Sequence, residues 1–281
     1  MNNSLFDLST IRFEISFKTY QELRNILYFY QRNNLTKINI PCKNSLKKDF
    51  LLNAIKLSRD EFRNIDIIPH FSILHEFRRN WLDTQNAFYE FLLLIKKYGC
   101  KEVLLISGSQ KRATLDSVKA LFLARNNALF SYNDFSLGVA FNPYLPSHLF
   151  KEERIRLDQK LKSGLVTSVW IQFGTDLSLL KRRMGVLNNL IESALQGNSK
   201  LNKINLYGSI LLPSKQFLAR FKFRPWKGVY CSMEFLESED YANKIVNELF
   251  KIYNDYNICP IIENNISTDH QLEQIKNLFK I

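Results

Sequence analysis

Glycine and proline are scarce in this chain of 281 residues, at nine and seven. No Gly/Ser-rich or Pro-rich stretch marks a linker, so one compact domain over residues 1–281 is expected rather than two. Cysteine is rare too. Cys42, Cys100, Cys231 and Cys259 lie far apart, form no CxxC pair and have no metal-ligand spacing with a histidine. That argues against a disulfide framework or a metal site and reads as reduced thiols of a cytoplasmic protein. Long apolar runs are missing: the run from Val103 to Ile106 is a buried-strand signal, much too short to cross a bilayer. The N-terminus lacks the basic start and apolar stretch of a signal peptide. No membrane partner is expected. GxGxxG, P-loop, HExxH and GxSxG are all missing, which removes the nucleotide, metalloprotease and serine-hydrolase readings that rest on those motifs.

What is present is apolar material and positive charge. Hydrophobic residues make up 46% of the chain, ample for one large core, and the formal net charge is +12. Such a charge suits a nucleic acid, a membrane surface or a polyanionic ligand. The lysines and arginines are spread over many segments, however, as at Lys47, Lys96, Lys160, Lys181 and Arg183. A solvated basic surface is the plainer reading, and a nucleic-acid partner ranks last.

Apolar runs with strand character alternate with stretches of helical period, the signature of parallel βαβ units. The strands are expected at Arg12–Lys18, Lys37–Pro41, Asp66–Ser72, Glu102–Ser107, Ser136–Asn142, Thr167–Phe173, Ile204–Leu212 and Ile258–Glu263. Tyr20–Arg32 carries Leu23, Ile26, Leu27 and Tyr30, spaced to fall on one helical face. Further helices are expected at Lys47–Asp60, Thr84–Tyr98 with Thr84 as N-cap, Thr114–Asn126, Glu152–Ser163, Leu177–Leu195, Ser214–Phe221 and Asp269–Phe279. An extra helix, Glu239–Tyr256, precedes the last strand. Eight strand–helix pairs with short connections predict an α/β fold, a single (β/α)₈ TIM-type barrel. Functional side chains then belong at the carboxyl ends of the strands.

At those ends the chain resembles the methylenetetrahydrofolate reductases, flavin-dependent barrels of one-carbon metabolism. Phe13-Glu14-Ile15-Ser16-Phe17, Pro69-His70-Phe71-Ser72 and Ile106-Ser107-Gly108-Ser109 resemble the family's first, third and fourth strand ends. Ala140-Phe141-Asn142-Pro143, the stretch Leu157 to Gly164, Ile171-Gln172-Phe173 with Asp176, and Gly208 to Pro213 with Phe217 follow in the same order. The resemblance implies reduction of a folate-bound methylene group to methyl through FAD, with NADH or NADPH as electron donor.

On that resemblance Glu14 is the acid that protonates a folate nitrogen, its carboxyl kept protonated by Phe13, Ile15 and Phe17. Gln172 reads the pterin ring and shares the catalytic position. Phe217 stacks on a flat ring of substrate or donor. His70, Ser107, Ser109, Phe141 and Lys160 occupy the flavin positions. Each has a plainer alternative, from a core-paired glutamate to simple helix packing. The chain also departs from the pattern: the family's arginine and aspartate around the glycine after strand four are Ser107 and Ser109, and its tyrosine after strand five is Phe141. A serine supplies no negative charge to favour an iminium. A folate-binding barrel without FAD, catalytic or not, is therefore the alternative. Lys111-Arg112 beside that loop could hold a phosphate or polyglutamate tail. The oligomeric state stays open.

Overall fold

In the computed structural model, which describes residues 6–42, 48–76, 80–107, 115–130, 135–198 and 201–281, the chain closes into a parallel eight-stranded barrel. The strands β1 (Arg12–Glu14), β2 (Lys37–Ile40), β3 (Asp66–Ser72), β4 (Glu102–Ile106), β5 (Ser136–Phe141), β6 (Val166–Ile171), β7 (Asn205–Ile210) and β8 (Cys259–Ile262) pair in sequence order. β8 returns to β1 with Phe13 opposite Ile262, which seals the sheet and leaves no edge. The helices between the strands are α1 (Tyr20–Arg32), α2 (Lys48–Glu61), α3 (Trp81–Lys97), α4 (Ser117–Ala124), α5 (Ser147–Lys162), α6 (Leu177–Gln196) and α7 (Lys215–Phe223). Then come α8 (Met233–Glu237) and α9 (Glu239–Asp255) before β8, and α10 (Asp269–Phe279) after it. No helix among the described residues is long and apolar enough to cross a membrane.

Helix starts follow local chemistry. Thr19, Asn80, Asp116, Asp176, Ser214, Ser238 and Thr268 each accept a backbone N–H from the first turn, and Thr268 with Gln271 forms a capping box. Asn80, not Thr84, caps α3; the Thr84 hydroxyl bonds back to the Asn80 carbonyl inside the helix. α5 begins at Ser147, behind Pro146 and ahead of the expected Glu152, because proline suits a helix start and its side chains need not be apolar. The five-residue α8 was not expected, being too short to show a period.

Strand alternation divides the core in two. Phe13, Ile15, Ile38, Ile67, Val103, Val139, Phe141, Val169 and Ile210 face outward into the layer under the helices. Ile68, Leu104, Trp170 and Ile261 face inward, with Ile106 and Tyr207 beside them. The inward set is small, and polar residues complete it.

Candidate functional site

The lower half of the interior holds a polar network that opens to the surface at Asp66. Arg12, almost fully buried, donates to Asn39 Oδ1 at 2.9 Å, to Asp66 Oδ2 at 2.6 Å and to the Ile38 carbonyl at 2.8 Å. Its guanidinium lies 5.9 Å from the centre of the Tyr207 ring. Across the barrel Ser168 bonds to Glu102 and accepts Trp170 Nε1–H at 2.9 Å. Burial pushes the Glu102 carboxyl above the usual carboxylate range, against the lowering pull of the Ser168 hydrogen bond and the Arg12 charge. Tyr207 of β7 belongs to this lower network: its hydroxyl points toward Glu102 Oε2 at 3.5 Å.

Above the network the rings continue toward the carboxyl ends. Trp170 lies 4.6 Å from Tyr207, tilted by 39°, and meets His70 edge-on at 5.7 Å. Trp170 reaches the axis because residue 138 is glycine: a Cβ there would stand 2.3 Å from the indole nitrogen. His70, two residues past inward Ile68 on β3, and Gln172, two past inward Trp170 on β6, continue the inward alternation at the mouth. Glu14, half-buried and two residues past Arg12, lies in register with Asn39. Three of the site residues, Glu14, His70 and Gln172, therefore share the carboxyl-terminal interior of one cylinder.

The same region holds polar atoms with no partner among the described residues. Asn39 Nδ2, inside the barrel at the level of Glu14, and Ser72 Oγ, at the end of β3, are buried and unbonded, as is Asn265 Oδ1 after β8. A buried unpaired polar group costs about 1–3 kcal/mol, so such groups gathered beside a mouth mark a place where a ligand or water completes the bonding. Ser72 was legible as a strand-end residue. Asn39 was missed, although an asparagine within Lys-Ile-Asn-Ile was the available signal.

Part of the rim is built by the segment between α7 and α8. Asn142 Nδ2 donates to the Gly228 carbonyl at 2.8 Å, Tyr230 bridges Gly174, and Ser232 N–H donates to Thr175 Oγ1 at 2.6 Å. This segment is thereby laced across the ends of β5 and β6. Arg183 of α6 holds the loop after β5 from below, donating to the Pro143 and Leu145 carbonyls while its guanidinium lies 3.7 Å over the Phe150 ring.

The other expected site residues are engaged elsewhere. The Ser107 hydroxyl accepts the Ser117 N–H at 2.9 Å and donates to Ser117 Oγ at 2.8 Å, tying β4 to the start of α4. Phe141 is fully buried on the outward face of β5, its ring 6.1 Å from Phe150. Lys160 is only 5% exposed, and its ammonium donates to the Ala140 carbonyl at 2.9 Å. Burial lowers the Lys160 pKa. Phe217, in the first turn of α7, lies among Phe221, Trp226 and Phe235 at 5.7, 5.5 and 6.3 Å. Ser109 and the Lys111-Arg112 pair lie outside the described residues. Phe13, Ile15 and Phe17 do not wall Glu14, because adjacent strand residues point to opposite faces: Phe13 packs on Tyr30 and Phe17 on Phe50. No group of three or more His, Cys, Asp or Glu that could hold a metal occurs among the described residues.

Comparison with known proteins gives the fold and nothing finer. No protein-family model and no curated protein matches the chain. A solved GH18 chitinase from Pseudoalteromonas aurantia superposes with a TM-score of 0.52 over 96% of this chain and 99% of its own, at 10% identity. A structure from Aquifex aeolicus VF5 gives a TM-score of 0.45 over 86% of this chain and 91% of its own, also at 10% identity. At such identity the chitinase likeness is one of fold alone.

Proposed function

We propose that this barrel binds a reduced folate in its carboxyl-terminal mouth and acts in one-carbon metabolism, with reduction of methylenetetrahydrofolate to methyltetrahydrofolate as its reaction. The observation that carries the reading is the placement of Glu14 on β1, His70 on β3 and Gln172 just past β6 at the carboxyl-terminal end of one barrel, beside the unbonded Asn39 and Ser72 atoms. In this reading the Glu14 carboxyl protonates a folate nitrogen, the ring opens, and the resulting iminium carbon accepts a hydride from NADH or NADPH, which is released as the oxidised nicotinamide. The Gln172 amide, with no side-chain hydrogen bond among the described residues, presents a donor and an acceptor to the pterin edge.

FAD fits these residues poorly. Of the described flavin positions only His70 faces the mouth; the Ser107 hydroxyl, the Phe141 ring and the Lys160 ammonium are spent on contacts within the protein. We therefore route no step through a flavin. The same three engagements favour a second reading, a folate-binding barrel without FAD that serves another folate-dependent one-carbon reaction or binds without turnover.

The visible absorbance spectrum of the purified protein, before and after incubation with FAD, separates these readings. A colourless protein that oxidises NADPH only when methylenetetrahydrofolate is present supports flavin-free reduction. A yellow protein that bleaches with NADPH restores the flavin route. A colourless protein with no affinity for any reduced folate removes the proposal.

A further inference from the structure

Three large apolar side chains stand exposed on α7, on α8 and on the segment between them. Phe223 at the end of α7 is 91% exposed, Met233 at the start of α8 is 80% exposed, and Trp226 between them is 43% exposed. One such residue on a surface is ordinary; three on adjoining elements form a patch that calls for a partner. Trp226 packs edge-on against Phe217 and Phe221, and Phe217 meets Phe235 of α8, so the two helices and the segment between them adjoin.

Charge is divided across the same patch. Arg220, Lys222 and Arg224 lie on the α7 side, while Glu234, Glu237 and Asp240 lie on the α8 side and at the start of α9. All six are exposed, and none forms an ion pair among the described residues. A foreign acidic partner would complement the first half and be repelled by the second; a basic one would do the reverse. A copy of the same surface, turned by a two-fold axis, sets the basic half of each chain on the acidic half of the other.

We propose that the α7–α8 face is a homodimer interface, closed by Phe223, Trp226 and Met233 at its centre and by reciprocal pairing of Arg220, Lys222 and Arg224 with Glu234, Glu237 and Asp240. The net charge of +12 opposes this association at long range. At physiological salt that repulsion is screened beyond about 8 Å, whereas the local contacts lie inside that distance.

The test is sedimentation velocity across a concentration series with two charge-reversed variants, Lys222→Glu/Arg224→Glu and Glu234→Lys/Glu237→Lys. All four positions are exposed, and circular dichroism checks that the variants fold. The wild type should dimerise, and each variant alone should associate at least about tenfold more weakly, a change of about 1.4 kcal/mol. An equimolar mixture of the two variants should recover the dimer, because one then presents two acidic halves and the other two basic halves. Phe223→Ser should weaken the dimer with no change of charge. The proposal is overturned if the wild type is monomeric throughout, if either variant dimerises like the wild type, or if the mixture stays monomeric while the wild type does not.

Discussion

Trp170 can cross the barrel axis only because β5 has no side chain at residue 138, where a Cβ would lie 2.3 Å from the indole nitrogen and 2.7 Å from Ser168 Oγ. Gly138→Ala must push the indole or bend the strand, and overpacking of this kind costs about 1–3 kcal/mol. Urea melts should show that loss; an unchanged midpoint would mean that Trp170 does not sit where described. Glu102, below it, makes stability depend on pH. Its folded-state pKa is raised, so the folded chain keeps a proton that the unfolded chain releases above about 4.3. The contribution to stability is full below that value and is lost as pH rises through the raised folded-state value. Glu102→Gln removes this one titration, so its melting temperature should fall less than the wild type's between pH 4.5 and 8. Parallel curves for the two proteins would contradict the assignment.

At the scale of elements, the clearest test is the clamp from α6 to the loop after β5. Arg183→Met leaves the Pro143 and Leu145 carbonyls without their donor and should destabilise the fold by about 2–4 kcal/mol, read by denaturant titration. A neutral result would show that the loop holds itself. Much of this architecture was legible beforehand. The bounds of β3, Asp66–Ser72, and of α1, Tyr20–Arg32, coincide with the structure residue for residue, because the first is a short run buried on both faces and the second repeats its apolar residues at helical spacing. β1 was expected through Lys18 but pairs only to Glu14; the apolar character of Ile15 and Phe17 continues past the ladder into the helix layer. The start of α3 was misplaced because Thr84 and Asn80 are both competent caps, and only the backbone distinguishes them. The candidate site was legible where it rests on inward strand ends, as at Glu14, His70 and Gln172. It was not legible for Phe141 and Lys160, because motif order does not say which face of a strand or helix a residue occupies.

For the whole molecule, a closed barrel separates stability from function along its axis. In the lower interior Arg12 is bonded to Asp66 and Glu102 to Ser168, whereas the upper interior keeps unbonded groups. If the barrel reduces methylenetetrahydrofolate as proposed, Glu14→Gln should leave the fold and folate affinity nearly intact while lowering turnover about a hundred- to ten-thousand-fold, measured by oxidation of NADPH. Equal turnover by the variant would remove Glu14 as the acid. The most direct measurement of the central claim is calorimetric titration of methyltetrahydrofolate into the wild type and into Gln172→Ala, side by side. The account predicts saturable one-to-one binding to the wild type, weakened at least about tenfold by loss of the amide. No binding by the wild type, or the same affinity in both proteins, would contradict it.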